Sequence, residues 1–68
     1  MTQKKLRELR KGEFFTLSDH GEEPDEKYVY IRGAYERSGR RYSVSKFSDY
    51  NCERFLKGDR LVWVGFTF

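Results

Sequence analysis

Cysteine, histidine, proline and methionine each occur once in this chain, and long apolar runs do not occur at all. A lone cysteine, Cys52, cannot close an internal disulfide, and with the single His20 it cannot complete the four-ligand shell of a structural zinc. No stretch approaches the roughly 18 apolar residues of a membrane span. The basic opening MTQKKLRELRKG has no apolar signal-peptide core, and with a free thiol this leads to the expectation of a reducing cytoplasm. There is no Gly-x-Ser-x-Gly, no phosphate loop ending in Gly-Lys-Ser/Thr and no second histidine. A catalytic pairing of Cys52 with His20 has no pattern that would bring the two together. Cys52 is read instead as a small apolar residue against the last strand. The expectation is a non-catalytic protein with no cofactor, no metal and no membrane partner.

What is abundant is aromatic and charged. Aromatics make up 18% and charged residues 37% of 68 residues, enough for one domain and no more. A domain this small buries only about 60% of the surface its unfolded chain exposes, so large rings must supply much of the core. The net charge of +3 conceals segregation. Residues 1–12 hold five bases and one acid, 13–26 six acids and no base, and 27–47 six bases and one acid, while 48–68 balance. The molecule is dipolar rather than uniformly basic.

Residues 1–11 read as a basic arm or a short helix, with Leu6 and Leu9 three apart, and residues 12–68 as a single β domain. Strands are expected over residues 13–17, 28–35, 42–47 and 60–68. An acidic loop, SDHGEEPDE, follows the first and is punctuated by Gly21 and Pro24. Its carboxylates and His20 match no calcium-loop spacing and read as solvated side chains. The same loop is a candidate to fold over the basic face and compete for it. Ser48, Asp49, Tyr50 and Asn51 are N-cap candidates for a helical turn over residues 52–57, stopped by Gly58. Lys11-Gly12-Glu13 and Lys57-Gly58-Asp59 echo each other, read as turns in which glycine supplies positive φ. The whole suggests a mainly β fold: a small five-stranded SH3-like, or OB-like, barrel with one short helical turn before the last strand. That last strand is apolar on both faces and should be central or covered.

The segment KYVYIRGAYERSGRRYSVSKF carries the functional reading. A two-residue turn at Ser38-Gly39 pairs Arg37 with Arg40, Tyr35 with Tyr42, Ile31 with Lys46 and Tyr30 with Phe47. It sends Val29, Ile31 and Val44 to the core, with Tyr35 and Tyr42 at its margin. The outer face then shows Tyr28, Tyr30, Arg32 and Phe47, with Arg41 near the turn. A three-residue turn instead sets Ile31 opposite Ser45 and Val44 beside Arg32, which scatters the aliphatics. On the preferred register, Tyr28, Tyr30 and Phe47 would stack on bases while Arg32, Arg41 and the arm residues Lys4, Lys5 and Arg7 hold phosphates. Plain cross-strand packing of Tyr30 on Phe47 competes with that reading. A protein-interaction adaptor or small regulator using the same face or a strand edge is the alternative, as a monomer or weak homodimer.

Three segments, Lys-Gly-Glu-Phe-Phe, Tyr-Ile-Arg-Gly-Ala-Tyr-Glu-Arg and Phe-Ser-Asp-Tyr-Asn-Cys-Glu-Arg-Phe-Leu-Lys-Gly, resemble short uncharacterised bacterial and mobile-element β-rich proteins. The resemblance spans nearly the whole chain and implies neither an activity nor a site. Glu13 breaks the Lys-Gly-Phe-Gly-Phe signature of cold-shock proteins, and Arg32-Gly33-Ala34-Tyr35 is only a fragment of the RNA-recognition-motif signature.

Overall fold

Alternating apolar and polar residues cast most of the chain as strands, and the computed structural model describes residues 2–49 and 51–67. Met1 of the expected arm, the N-cap candidate Tyr50 and the terminal Phe68 lie outside the described residues. Six strands form one antiparallel sheet: β1 (Thr2–Lys5), β2 (Phe14–Thr16), β3 (Val29–Glu36), β4 (Arg41–Lys46), β5 (Glu53–Leu56) and β6 (Leu61–Val64). Their order is β1-β6-β2-β3-β4-β5. Strands β2 to β5 run as a meander, and β6 returns to pair with both β2 and β1. The sheet is not closed, leaving β1 and β5 at its edges.

Three expectations change here. The N-terminal arm is neither loose nor helical at its start: Thr2–Lys5 pairs with Val64 to Leu61 of β6, and only Leu6–Glu8 takes a 3-10 turn. An apolar strand such as β6 needs hydrogen-bonding neighbours on both sides. Lysines on the added strand keep the new edge from inviting further pairing. The helical turn expected over residues 52–57 is instead β5, paired with β4 from Tyr42↔Leu56 to Ser45↔Glu53. A one-turn helix satisfies few of its own backbone groups, whereas the exposed edge of β4 offers a ladder. Cys52, expected against the last strand, is exposed in the turn before β5.

The core holds Leu6, Leu9, Phe15, Tyr30, Val44, Val62 and Val64, with Leu17, Tyr42 and Leu56 packed against it. In a flat sheet the β1 and β5 edges would lie about 24 Å apart. Leu6 directly follows β1 and Leu56 ends β5, yet both join one cluster, so the sheet is strongly curled. The Leu6 N–H donates to the Arg60 carbonyl and the Arg7 N–H to the Gly58 carbonyl, both at 2.9 Å. These bonds seat the 3-10 turn across the end of the sheet. Phe15, stacked on Tyr30 at 5.8 Å, is the largest fully buried side chain among the described residues. Burying such a ring contributes about 1.5–3 kcal/mol.

The β3–β4 hairpin uses both registers. Near its tip Tyr35 pairs with Tyr42 and Glu36 with Arg41, as the Ser38-Gly39 turn requires. Nearer its base Arg32 pairs with Val44, Ile31 with Ser45 and Tyr30 with Lys46, one residue out of step. A bulge between Arg32 and Tyr35 absorbs the difference. Gly33 permits it, because a Cβ there would lie 2.7 Å from the Ser43 carbonyl oxygen. The tip is a four-residue loop, 37–40, in which the Arg40 N–H donates to the Arg37 carbonyl at 3.3 Å. Arg40, rather than Gly39, occupies the left-handed region with φ of 52°.

Tyr30 is therefore a core residue, not an outer one, and Ile31 turns to the reverse face as half-buried. The glycine echo also resolves unequally. Gly12 has φ of 93°. Gly58 is required by crowding instead, since a Cβ there would meet the Tyr42 ring at 2.8 Å and the Arg7 Cβ at 3.2 Å.

Candidate nucleic-acid interface at the hairpin tip

A bulge moves an extra residue into a strand and so reverses the facing of everything beyond it. Without the bulge at Gly33-Ala34, Arg32 and Tyr35 would point to opposite faces, being an odd number of residues apart. With it, both meet Tyr42. The Tyr35 and Tyr42 ring centroids are 4.9 Å apart at 55°, and the Arg32 guanidinium carbon lies 4.4 Å from the Tyr42 centroid. Arg32 also donates from Nη1 to the Gly33 carbonyl at 2.8 Å, while its buried Nε has no hydrogen-bond partner among the described residues.

Around these rings a groove of about 510 Å³ is lined by Arg7, Tyr35, Gly39, Arg40, Arg41, Tyr42, Lys57, Gly58 and Asp59. Three elements supply its charge. The 3-10 turn brings Arg7, held by its backbone bond to Gly58. The hairpin tip brings Arg40 and Arg41, and the β5–β6 turn brings Lys57 and Asp59. Four cations thus face one carboxylate around two tyrosines. Glu36, the other acid at the tip, accepts the Ser38 hydroxyl at 2.8 Å. Tyr35 is 47% exposed, leaving much of its ring accessible.

The eight residues singled out in the sequence divide sharply. Arg7 and Arg41 line the groove, and Arg32 backs its Tyr42 wall. Tyr30 is buried beside Phe15, and Arg32 lies on the core side of the hairpin rather than on an outer face. Phe47, half-buried, meets Phe14 edge to face at 5.6 Å on the opposite side of the sheet. Lys4 and Lys5 lie along the β1 edge. Tyr28 ends a 3-10 turn, Glu26–Tyr28, just before β3, stacked on His20 at 3.9 Å and 6°, with Lys27 Nζ 5.2 Å from its centroid. Tyr35, Tyr42, Arg40 and Lys57 were not predicted. The usable signal was Gly33 inside an otherwise regular strand, which marks a bulge and therefore a change of facing.

The acidic loop does not cover this groove. It lies at the opposite end of β3, where the Thr67 N–H donates to the Glu22 carbonyl at 2.6 Å. Asp19 and Asp25 each accept a backbone N–H two residues on, from Gly21 at 3.0 Å and Lys27 at 3.3 Å. Among the described residues no three His, Cys, Asp or Glu side chains gather where they could hold a metal ion, and no helix is long and apolar enough to cross a membrane. No protein-family model, curated protein or solved structure matches the chain.

Proposed function

We propose that the chain is a non-catalytic, SH3-like cytoplasmic binding module that holds single-stranded nucleic acid in the groove at the β3–β4 tip. One observation carries the reading: Arg7, Arg40, Arg41 and Lys57 surround the Tyr35–Tyr42 pair. Cations hold phosphates, and an accessible ring stacks on any base for about 1–3 kcal/mol. A duplex buries its base faces, so a stacking platform favours an unpaired strand.

Titration of a labelled twelve-residue oligouridylate at low and physiological salt tests this. Affinity is expected to fall steeply with salt, with a logarithmic slope of about −0.7 per phosphate neutralised. Replacing Arg40 and Arg41 together by alanine removes about two such contacts. Absent binding at low salt, or a salt-independent affinity, ends the proposal.

A second reading, a protein-interaction adaptor, draws on a different observation. Phe14, Phe55 and Leu61 are 39%, 47% and 48% exposed, and β1 and β5 each have one unpaired edge. Such edges accept an extended peptide or a second copy. Recovery of a partner that survives nuclease treatment and the Arg40/Arg41 double substitution would favour this reading over the first.

A further inference from the structure

Asp59 departs from the other aspartates of the chain. Asp19, Asp25 and Asp49 each turn back to accept the backbone N–H two residues on, at Gly21, Lys27 and Asn51. Such turns consume the carboxylate in local structure. The Asp59 turn is closed without its side chain, by the Arg60 N–H donating to the Lys57 carbonyl at 3.1 Å. Among the described residues the Asp59 carboxylate has neither a hydrogen-bond partner nor an ion pair, although four cations line the same groove. A free carboxylate amid guanidinium and ammonium groups weakens phosphate attraction, so as a phosphate-binding element it is counterproductive. Its chemistry suits another partner: ionised, it accepts hydrogen bonds and donates none.

We infer that Asp59 reads the base stacked on Tyr35 and selects guanine. The inference rests on the nucleic-acid reading of the groove. On an unpaired base the Watson–Crick edge is open to side chains. Guanine alone of the four bases presents two adjacent donors there, N1–H and the N2 amino group, which match the two oxygens of a carboxylate. Adenine and cytosine set a ring-nitrogen acceptor beside their single amino group, and uracil flanks its one N–H with carbonyls. Each of these three places an acceptor against the carboxylate, which repels it. Nonspecific phosphate contacts from Arg7, Arg40, Arg41 and Lys57 would then supply affinity while Asp59 supplies choice.

The test measures binding of nine-residue RNAs that differ only at the central position of an oligouridylate: guanine, inosine, adenine or uracil. Wild-type protein is expected to prefer guanine by roughly tenfold to a hundredfold, the range of one good bidentate base contact. Inosine, which lacks the N2 amino group, should fall between guanine and uracil. Asp59→Asn, at an exposed turn position, should bind all four RNAs alike, with affinity for the uracil form retained or raised by the loss of a negative charge. Equal binding of all four by wild-type protein overturns the inference while leaving the nucleic-acid reading in place. So does a guanine preference that survives in the Asp59→Asn protein. Failure of every RNA to bind wild-type protein at low salt overturns both together.

Discussion

The turn that leads into β3 and the far end of β3 each place a tyrosine at the surface, and the chain treats them in opposite ways. In the turn, Tyr28 lies flat on His20 beside a loop carrying Asp19, Glu22, Glu23, Asp25 and Glu26. At the far end, roughly 26 Å along an eight-residue strand, Tyr35 stands 47% exposed among Arg7, Arg40, Arg41 and Lys57. An aromatic ring is a binding element only where its surroundings attract the ligand. The groove beside Tyr28 holds two cations, Lys27 and Lys46, and one face of the Tyr28 ring is already stacked on His20. Four cations surround the Tyr35–Tyr42 pair at the hairpin tip and attract phosphate. Exposure alone, 40% against 47%, does not separate the two sites; charge and ring partner do.

The largest expected effect abolishes both ends together. Phe15→Ala removes the main ring of the shared core and should cost about 3–5 kcal/mol, a large share of the total for so small a domain. Circular dichroism during chemical denaturation should show it mostly unfolded. A well-folded variant would mean that the tip and the loop do not depend on one core.

Gly33→Val tests whether the bulge builds the tip specifically. The new side chain must displace the Ser43 backbone, at about 1–3 kcal/mol. Amide shifts should move around Tyr35, Tyr42 and Arg40 while those around His20 and Tyr28 stay in place. Uniform shifts would show that the two ends are not structurally separable.

Next come the rings themselves. Tyr35→Ala should weaken oligonucleotide binding by about 1–3 kcal/mol, and Tyr28→Ala should leave it unchanged. Equal losses in the two variants would erase the contrast between the ends. The smallest effect is at Arg40. Replacement by glycine relieves a left-handed residue and should raise stability by up to about 1 kcal/mol. The same change should flatten the salt slope of binding by about 0.7. A stability loss instead would mean that the Arg40 side chain holds the loop.

Much of the fold was legible in the residues. The strands at Phe14–Thr16, Val29–Glu36, Arg41–Lys46 and Leu61–Val64 follow from alternation and from β-branched and aromatic content. The double-sided apolarity of Leu61 to Val64 required neighbours on both sides, and β6 has them. β1 was not legible, because TQKK has no apolar alternation and becomes a strand only when β6 offers its edge. β5 was missed for a related reason: the N-cap candidates Ser48, Asp49, Tyr50 and Asn51 ahead of it read as a helix start, and the unpaired β4 edge outweighs that signal.

The candidate site was half visible. Its ingredients, tyrosines among arginines on one hairpin, stand in the sequence, and so does the opposition of acidic and basic segments. Which tyrosine faces which way was not, because a single extra residue at the bulge reverses the facing of the strand beyond it. Local propensities determined that the chain is β-rich, dipolar and aromatic. Packing determined that Tyr30 is a core residue and Tyr35 an open ring. It also brought Arg7, from the other end of the chain, beside Lys57 and Arg41. Residues 50 positions apart meet only after the sheet has curled, and the free energy that curls it comes from burying Leu6, Phe15 and Val62 together.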